Sequence, residues 1–206
     1  MRHAIVTGAS SGIGEAIVTQ LLNDGWRVTG LCRTPVVRDD PAFSCVNVDL
    51  SDNLSLQKVL PTLSTPDAVV HAAGIMAAAP LGELHTDVSQ RLWHLHVEAI
   101  ETLLNYFAPR MSAGGRVVAI GSRTSRGAAG RSQYAATKAA LVGMIRSWAA
   151  ELAPKGITLN VVAPGATQTP MLKKPGRESS PPNVPPIGRL IHPQEVASLV
   201  AWFVSE

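Results

Sequence analysis

Residues 3–14 read His3-Ala4-Ile5-Val6-Thr7-Gly8-Ala9-Ser10-Ser11-Gly12-Ile13-Gly14, and the reading of this stretch decides the fold. A short apolar run reaches Thr7, a glycine-punctuated turn follows, and an apolar helical pattern opens at Ile13 and continues to residue 23. Glycines let the backbone turn sharply and come close to a phosphate. The helix behind them points its free N–H groups and the positive end of its dipole at that charge. A loop of this kind between a first strand and a first helix predicts a dinucleotide pyrophosphate site built from Gly8, Ser10, Ser11, Gly12, Ile13 and Gly14. The competing reading is an ordinary glycine-rich turn, and the rest of the chain decides between the two.

Downstream, short apolar runs alternate with longer helical patterns. Strands are expected over residues 3–7, 27–31, 43–48, 68–71, 116–120 and 157–162, mostly as continuous runs without in/out alternation, which is how strands buried on both faces of a parallel sheet look. Helices are expected over 13–23, 53–60, 87–110, 132–153 and 193–205, with Gly25 and Gly156 at left-handed caps and Pro193 and Glu195 in a first turn. Strand alternating with helix gives an α/β doubly wound parallel sheet, the Rossmann arrangement with strand order 3-2-1-4-5-6. The Pro/Ser-rich stretch 173–186 is expected to be a lid or substrate loop, because too little chain follows it for a second domain.

Composition agrees and narrows the classes. The 206 residues fit one domain spanning 1–206, and 46% hydrophobic with 16% charged residues describes a globular chain. The net charge of +3 is spread without a basic run, so no nucleic-acid arm is expected. Cys32 and Cys45 lack metal-ligand spacing and read as two reduced thiols; no metal site is expected, and a cytoplasmic location fits. The apolar stretch 68–82 is broken by His71, Gly74 and Pro80 and is too short to span a bilayer, and no signal segment opens the chain, so no membrane partner is expected.

The second strand selects the dinucleotide. A site for NAD(H) places an acid about 20 residues past the glycines to hold the ribose 2′-OH. Here the strand ends Gly30-Leu31-Cys32-Arg33-Thr34, with no acid and with Arg33 where a 2′-phosphate would lie. A guanidinium pairs well with phosphate and poorly with a bare diol, so NADP(H) is favoured over NAD(H), with Arg33 and Thr34 as contacts. The alternative is an Arg33 that points into solvent.

Tyr134 and Lys138 stand four apart in a helical pattern and therefore share a face. A free tyrosine has a pKa of about 10, too high for a base at neutral pH. A neighbouring ammonium and an oxidised nicotinamide both favour the phenolate. Tyr134 can then give a proton to a carbonyl oxygen or remove one from an alcohol, while Ser122 hydrogen-bonds the same oxygen. Taken alone, a Tyr/Lys pair is more often a helix surface pair.

With these motifs in order, the chain resembles the short-chain dehydrogenase/reductase family over nearly its whole length. Thr7-Gly8-x-x-x-Gly12-Ile13-Gly14 resembles the family's cofactor motif, Asp49-Leu50 the pair that holds the adenine, and His71-Ala72-Ala73-Gly74 its Asn-Asn-Ala-Gly turn. Ser122, Tyr134 and Lys138 match its catalytic trio; Asn160 and Pro164-Gly165-x-x-x-Thr169 match the segment flanking the nicotinamide, which adds Thr167 as a contact. The resemblance implies that Lys138 also bonds the nicotinamide ribose, that Thr169 contacts the carboxamide, and that the long helices after strands four and five build a homodimer or homotetramer.

Four departures accompany the resemblance. His96 stands where the family carries an asparagine in the proton path, and is expected either to relay protons or to be a packed core histidine. His71-Ala72 replaces two asparagines. The loop between Ser122 and Tyr134 carries Arg123, Arg126 and Arg131, expected at the substrate mouth, where they would read an anionic group or simply be solvated. The family's seventh strand is absent, which leaves 157–162 as an apolar sheet edge and predicts either further chain past Glu206 or a covering partner. The expected function is an NADP(H)-dependent oxidoreductase acting on a small carbonyl or secondary alcohol. The rivals are a non-catalytic NADP(H)-binding sensor or scaffold, and an epimerase or dehydratase that retains its dinucleotide.

Overall fold

In the computed structural model, residues 1–173 and 181–205 are described. Six parallel strands form one sheet in the expected Rossmann order β3-β2-β1-β4-β5-β6. They are β1 (His3–Thr7), β2 (Arg27–Cys32), β3 (Phe43–Asn47), β4 (Ala68–His71), β5 (Arg116–Ile120) and β6 (Thr158–Val162). β1 is buried at every position, which explains why its residues do not alternate in character.

Side chains of opposite parity feed two cores. On one face, Ile5, Leu31, Val69, Val117 and Ala119 pack against α2 (Asn53–Val59), α4 (Ala99–Phe107) and α5 (Ser132–Leu152). On the other, Ala4, Val6, Val28, Val70 and Val118 pack against α1 (Gly12–Asn23) and α6 (Pro193–Val204). Each fully buried aliphatic side chain stabilises by about 1.5–3 kcal/mol. Small residues on the strands let the helices lie close. On the helix side the same closeness shows at Gly14 of α1, where an added Cβ would overlap the Gly8 carbonyl oxygen.

The expected helix over 87–110 is interrupted. α3 (Thr86–Trp93) passes into a π-helical turn, His94–Glu98, before α4 begins, and the Ala99 amide donates to the His94 carbonyl five residues back. Such a turn inserts one residue into the helix and redirects its carbonyls. The expected loop over 173–186 falls partly outside the described residues, at 174–180. After it, the chain rejoins the fold where Thr167 bridges Ile191, with Gln168 N donating to Ile191 O and Ile191 N to Ala166 O. Among the described residues, β3 and β6 are the sheet's two edges. No helix of the described residues is long and apolar enough to cross a membrane.

Candidate active site

The carboxyl ends of the strands open into one cavity of about 410 Å³, within the range of small-molecule sites. Its floor is the first turn. Gly8 (φ 68) and Gly12 (φ 60) adopt the left-handed backbone that favours glycine, and a Cβ on Gly8 would meet the Ala73 backbone at 2.9 Å. Ser11 caps α1 through its backbone alone, with no side-chain cap bond, so the first amides of the helix remain open to an acceptor in the cavity.

Thr7 fixes the opposite wall. Its hydroxyl accepts from Ala72 N (3.1 Å) and Ala73 N (3.0 Å), and bonds His71 Nδ1 at 3.0 Å. With both amides donating to it, the hydroxyl's own proton goes to Nδ1, which leaves the proton of His71 on Nε2. That atom is buried and faces the Leu95 and His96 carbonyls of the π turn without a close hydrogen bond. Burial first, then the Lys138 charge, pushes His71 down to about 3, so the ring is neutral. Of the two residues that replace asparagines at this turn, Ala72 lines the cavity and His71 turns inward.

At the chemical end, Ser122, Tyr134 and Lys138 all line the cavity. Ser122 Oγ accepts from Thr124 N at 3.1 Å, which leaves its proton for an oxygen in the cleft. Tyr134 and Lys138 occupy the buried stripe of α5 together with Leu141 and Ile145. Lys138 Nζ donates to Ile120 O at 2.8 Å and lies 5.9 Å from the centre of the Tyr134 ring. Burial lowers the Lys138 ammonium to about 8.

The expected cofactor contacts meet around the same space. Gly8, Ser10, Ser11, Gly12, Ile13 and Gly14 form the floor, Arg33, Thr34, Asp49 and Leu50 one end, and Ala72, Ala73, Gly74, Pro164, Gly165, Thr167 and Thr169 the remainder. Asp49 is oriented by Ser51, whose amide and hydroxyl donate to it at 2.9 and 2.7 Å. Of the three loop arginines, Arg123 and Arg131 reach the cavity and Arg126 is not among its lining. Asn160 is half-buried on β6, outside the lining.

His96 also stands behind the wall, outside the lining. It is fully buried and edge-on to Tyr134 at 5.6 Å between ring centres. Nε2 accepts from Ile75 N at 3.0 Å, and Nδ1 meets Thr137 Oγ1 at 2.8 Å. Because the Thr137 hydroxyl donates to Tyr134 O at 2.9 Å, the proton between His96 and Thr137 belongs to Nδ1. Burial, then the charge of Lys138, holds His96 well below the ordinary imidazole value. Lining residues that sequence reasoning did not single out include Ile75, Met76, Leu95, Met171 and Leu172, and Cys32, read there only as a reduced thiol, joins them. Each neighbours a recognised motif or follows it closely, and apolar side chains carry no chemical signature of their own.

A doubly wound sheet whose glycine turn and Ser/Tyr/Lys trio share one cleft defines a dinucleotide-dependent oxidoreductase of CH–OH and C=O groups. The short chain dehydrogenase family matches residues 2–179, and the chain belongs to the short-chain dehydrogenase/reductase family. The chain is 32% identical to the cyclic-di-GMP-binding biofilm dispersal mediator protein of Escherichia coli (strain K12), covering 98% of this chain and 88% of that one. It is 31% identical to a 3-oxoacyl-acyl-carrier-protein reductase of Vibrio cholerae, over 98% of this chain and 89% of the other. Among solved structures, a short chain dehydrogenase of Burkholderia cenocepacia J2315 in complex with NADP superposes with a TM-score of 0.87 at 28% identity, over 100% of this chain and 91% of that one.

Proposed function

We propose that the chain is an NADP(H)-dependent oxidoreductase of a small carbonyl or secondary alcohol, with Tyr134 as general acid and base. The observation that carries this reading is the convergence of Ser122, Tyr134 and Lys138 on the cavity whose floor is the open helix terminus. The residues present fit the dinucleotide. The left-handed turn at Gly8 packs on the Ala73 backbone with no room for a Cβ, the α1 amides suit a pyrophosphate, and Arg33 in the same cavity suits a 2′-phosphate. When bound, the nicotinamide supplies or accepts the hydride.

The chain's own groups do the rest. Ser122 donates to the substrate oxygen and steadies its developing charge. Tyr134 Oη gives that oxygen a proton in reduction and takes it back in oxidation. Lys138, held by Ile120 O, keeps a positive charge beside the phenol and offers its other N–H donors to ribose hydroxyls. His96 acts as a positioning residue in this scheme. It joins the turn after β4 to α5 with a fixed tautomer, and exchanges no proton at neutral pH. The same proposal has the protein working in the cytoplasm as a homodimer or homotetramer.

The test is NADPH oxidation followed against a carbonyl panel, with Tyr134→Phe as control. Turnover by the wild type that falls about a hundredfold or more in the variant supports the reading. The similarity to the Escherichia coli mediator favours one rival, a non-catalytic NADP(H)-binding sensor. That rival predicts a fluorescence titration with NADPH that saturates and no turnover on any substrate.

A further inference from the structure

We propose that Cys32 and Cys45 are a reversible disulfide site that governs recognition of the cofactor's 2′-phosphate. The proposal rests on the NADP(H) reading above. In the parallel β2–β3 pair, Gly30 stands opposite Cys45 and Cys32 opposite Asn47. Cys32 is two residues past Gly30, so it shares a sheet face with Cys45 on the diagonal. Their sulfurs lie 3.1 Å apart, and both cysteines are free. The sequence suggests only two unrelated thiols; the register of the sheet makes them a pair.

The two sulfurs are unequal. Cys45 lies on the edge strand and is half-buried, so an oxidant can reach it. Cys32 is buried behind it, lines the cavity beside Arg33, and donates from its sulfur to Thr34 O at 3.1 Å. Burial, followed by the contact with Cys45, pushes the Cys32 thiol up to about 12, and the more accessible position of Cys45 on the edge strand makes it the sulfur that meets an oxidant first.

With hydrogen peroxide as oxidant, the Cys45 thiolate attacks one peroxide oxygen. The O–O bond breaks, hydroxide leaves, and Cys45 carries a sulfenic acid. The Cys32 sulfur then displaces the sulfenic oxygen and releases its proton, so that two thiols and one peroxide give one disulfide and two waters. A dithiol reverses the step by returning two electrons and two protons.

The bond has a structural consequence at the cofactor end. Strand spacing and rise put diagonal neighbours about 8 Å apart at Cα, beyond the usual disulfide span of about 4.4–6.8 Å. Closing the bond therefore draws the end of β2 toward β3. It also removes the S–H that holds the Thr34 carbonyl. Arg33 lies between these two points. Strained bridges are the readily reduced kind, which suits a reversible modification.

The experiment uses the full chain. Free thiols are counted, and NADPH and NADH are titrated by fluorescence, before oxidation, after hydrogen peroxide and after dithiothreitol; Cys45→Ser is carried in parallel. Expected are two titratable thiols that fall to none, a Cys32–Cys45 cross-linked peptide, NADPH binding weakened about tenfold with little change for NADH, and recovery with dithiothreitol. Cys45→Ser should bind NADPH as the reduced protein does and ignore peroxide. Persistence of both thiols, a cross-link between chains only, or a bridge that leaves NADPH affinity unaltered would overturn the proposal. A reduced protein that binds no NADPH at all would instead sink the cofactor reading, while the thiol count still decides whether the bridge forms.

Discussion

Lys138 is the residue whose chemistry most opposes the fold. Its ammonium is buried and lowered from 10.5 to about 8. Between those two values the unfolded chain binds a proton that the folded chain does not, so this residue makes stability rise with pH across that window. Below pH 8 the charge is buried in full, at a cost of about 3 kcal/mol. Lys138→Met should therefore abolish turnover and still raise the melting temperature at pH 7 by a few degrees, about 2 °C or more. Thermal scans of both proteins at pH 7 and pH 10 check this, because the advantage of the variant should shrink at the higher pH; a variant less stable than wild type at pH 7 would contradict the account. Arg33→Ala belongs to the same scale. Loss of a guanidinium–phosphate pair should weaken NADPH about tenfold or more and leave NADH nearly unaffected in parallel titrations. These residues were legible because ionisable groups at motif spacing carry their chemistry in their names. The Cys32–Cys45 contact was not, because it depends on which residue of β3 faces which residue of β2.

At the level of elements, the interrupted helix between β4 and β5 is where sequence and structure part most. Apolar periodicity runs through residues 87–110 on both sides of the break, so nothing local announces a π turn. The extra residue is fixed from outside, by the Ile75 amide and the Thr137 hydroxyl that clasp His96. The turn in turn brings its carbonyls to His71. Both imidazoles are neutral in the fold and charge in the unfolded chain below about pH 6.5, so each removes stability as pH falls below that value, by about 1.4 kcal/mol per pH unit. Urea unfolding should show a steep decline between pH 6.5 and 4.5, and His71→Asn should remove a substantial share of that slope. An unaltered slope in the variant would mean that this histidine is not held neutral. His96→Leu tests the clasp. It should lower kcat at all pH values without shifting the limbs of the pH profile, since a brace is lost and no relay; a displaced limb would restore the relay reading.

For the whole molecule, the alternation of strands and helices was enough to read a doubly wound parallel sheet, because right-handed crossovers leave few ways to connect such elements, while the order 3-2-1-4-5-6 came with the resemblance to the dinucleotide-binding family. The cleft follows from that order, since every strand delivers its carboxyl end to the same rim and the glycine turn marks the centre. What the alternation does not encode is how the rim is tied together. Ala79 N donates to Gly130 O, Arg131 Nη2 to Pro181 O, and Gln133 Nε2 to His85 O and Ser89 Oγ, so the walls after β4, β5 and β6 hold one another across the mouth. These walls are largely exposed or half-buried, which places them at the low-stability end of the molecule, while β1 and β4 are fully enclosed. A ligand that touches several walls at once must then stabilise them together. NADPH at about 100 times its Kd should add about 2.7 kcal/mol to the stability of the folded chain. Hydrogen exchange should report that gain as slower exchange at residues 123–131 and 164–172, with little change in the strands. Protection confined to the glycine turn would show that binding at the floor is not transmitted to the rim, and that the mouth is set by the substrate alone.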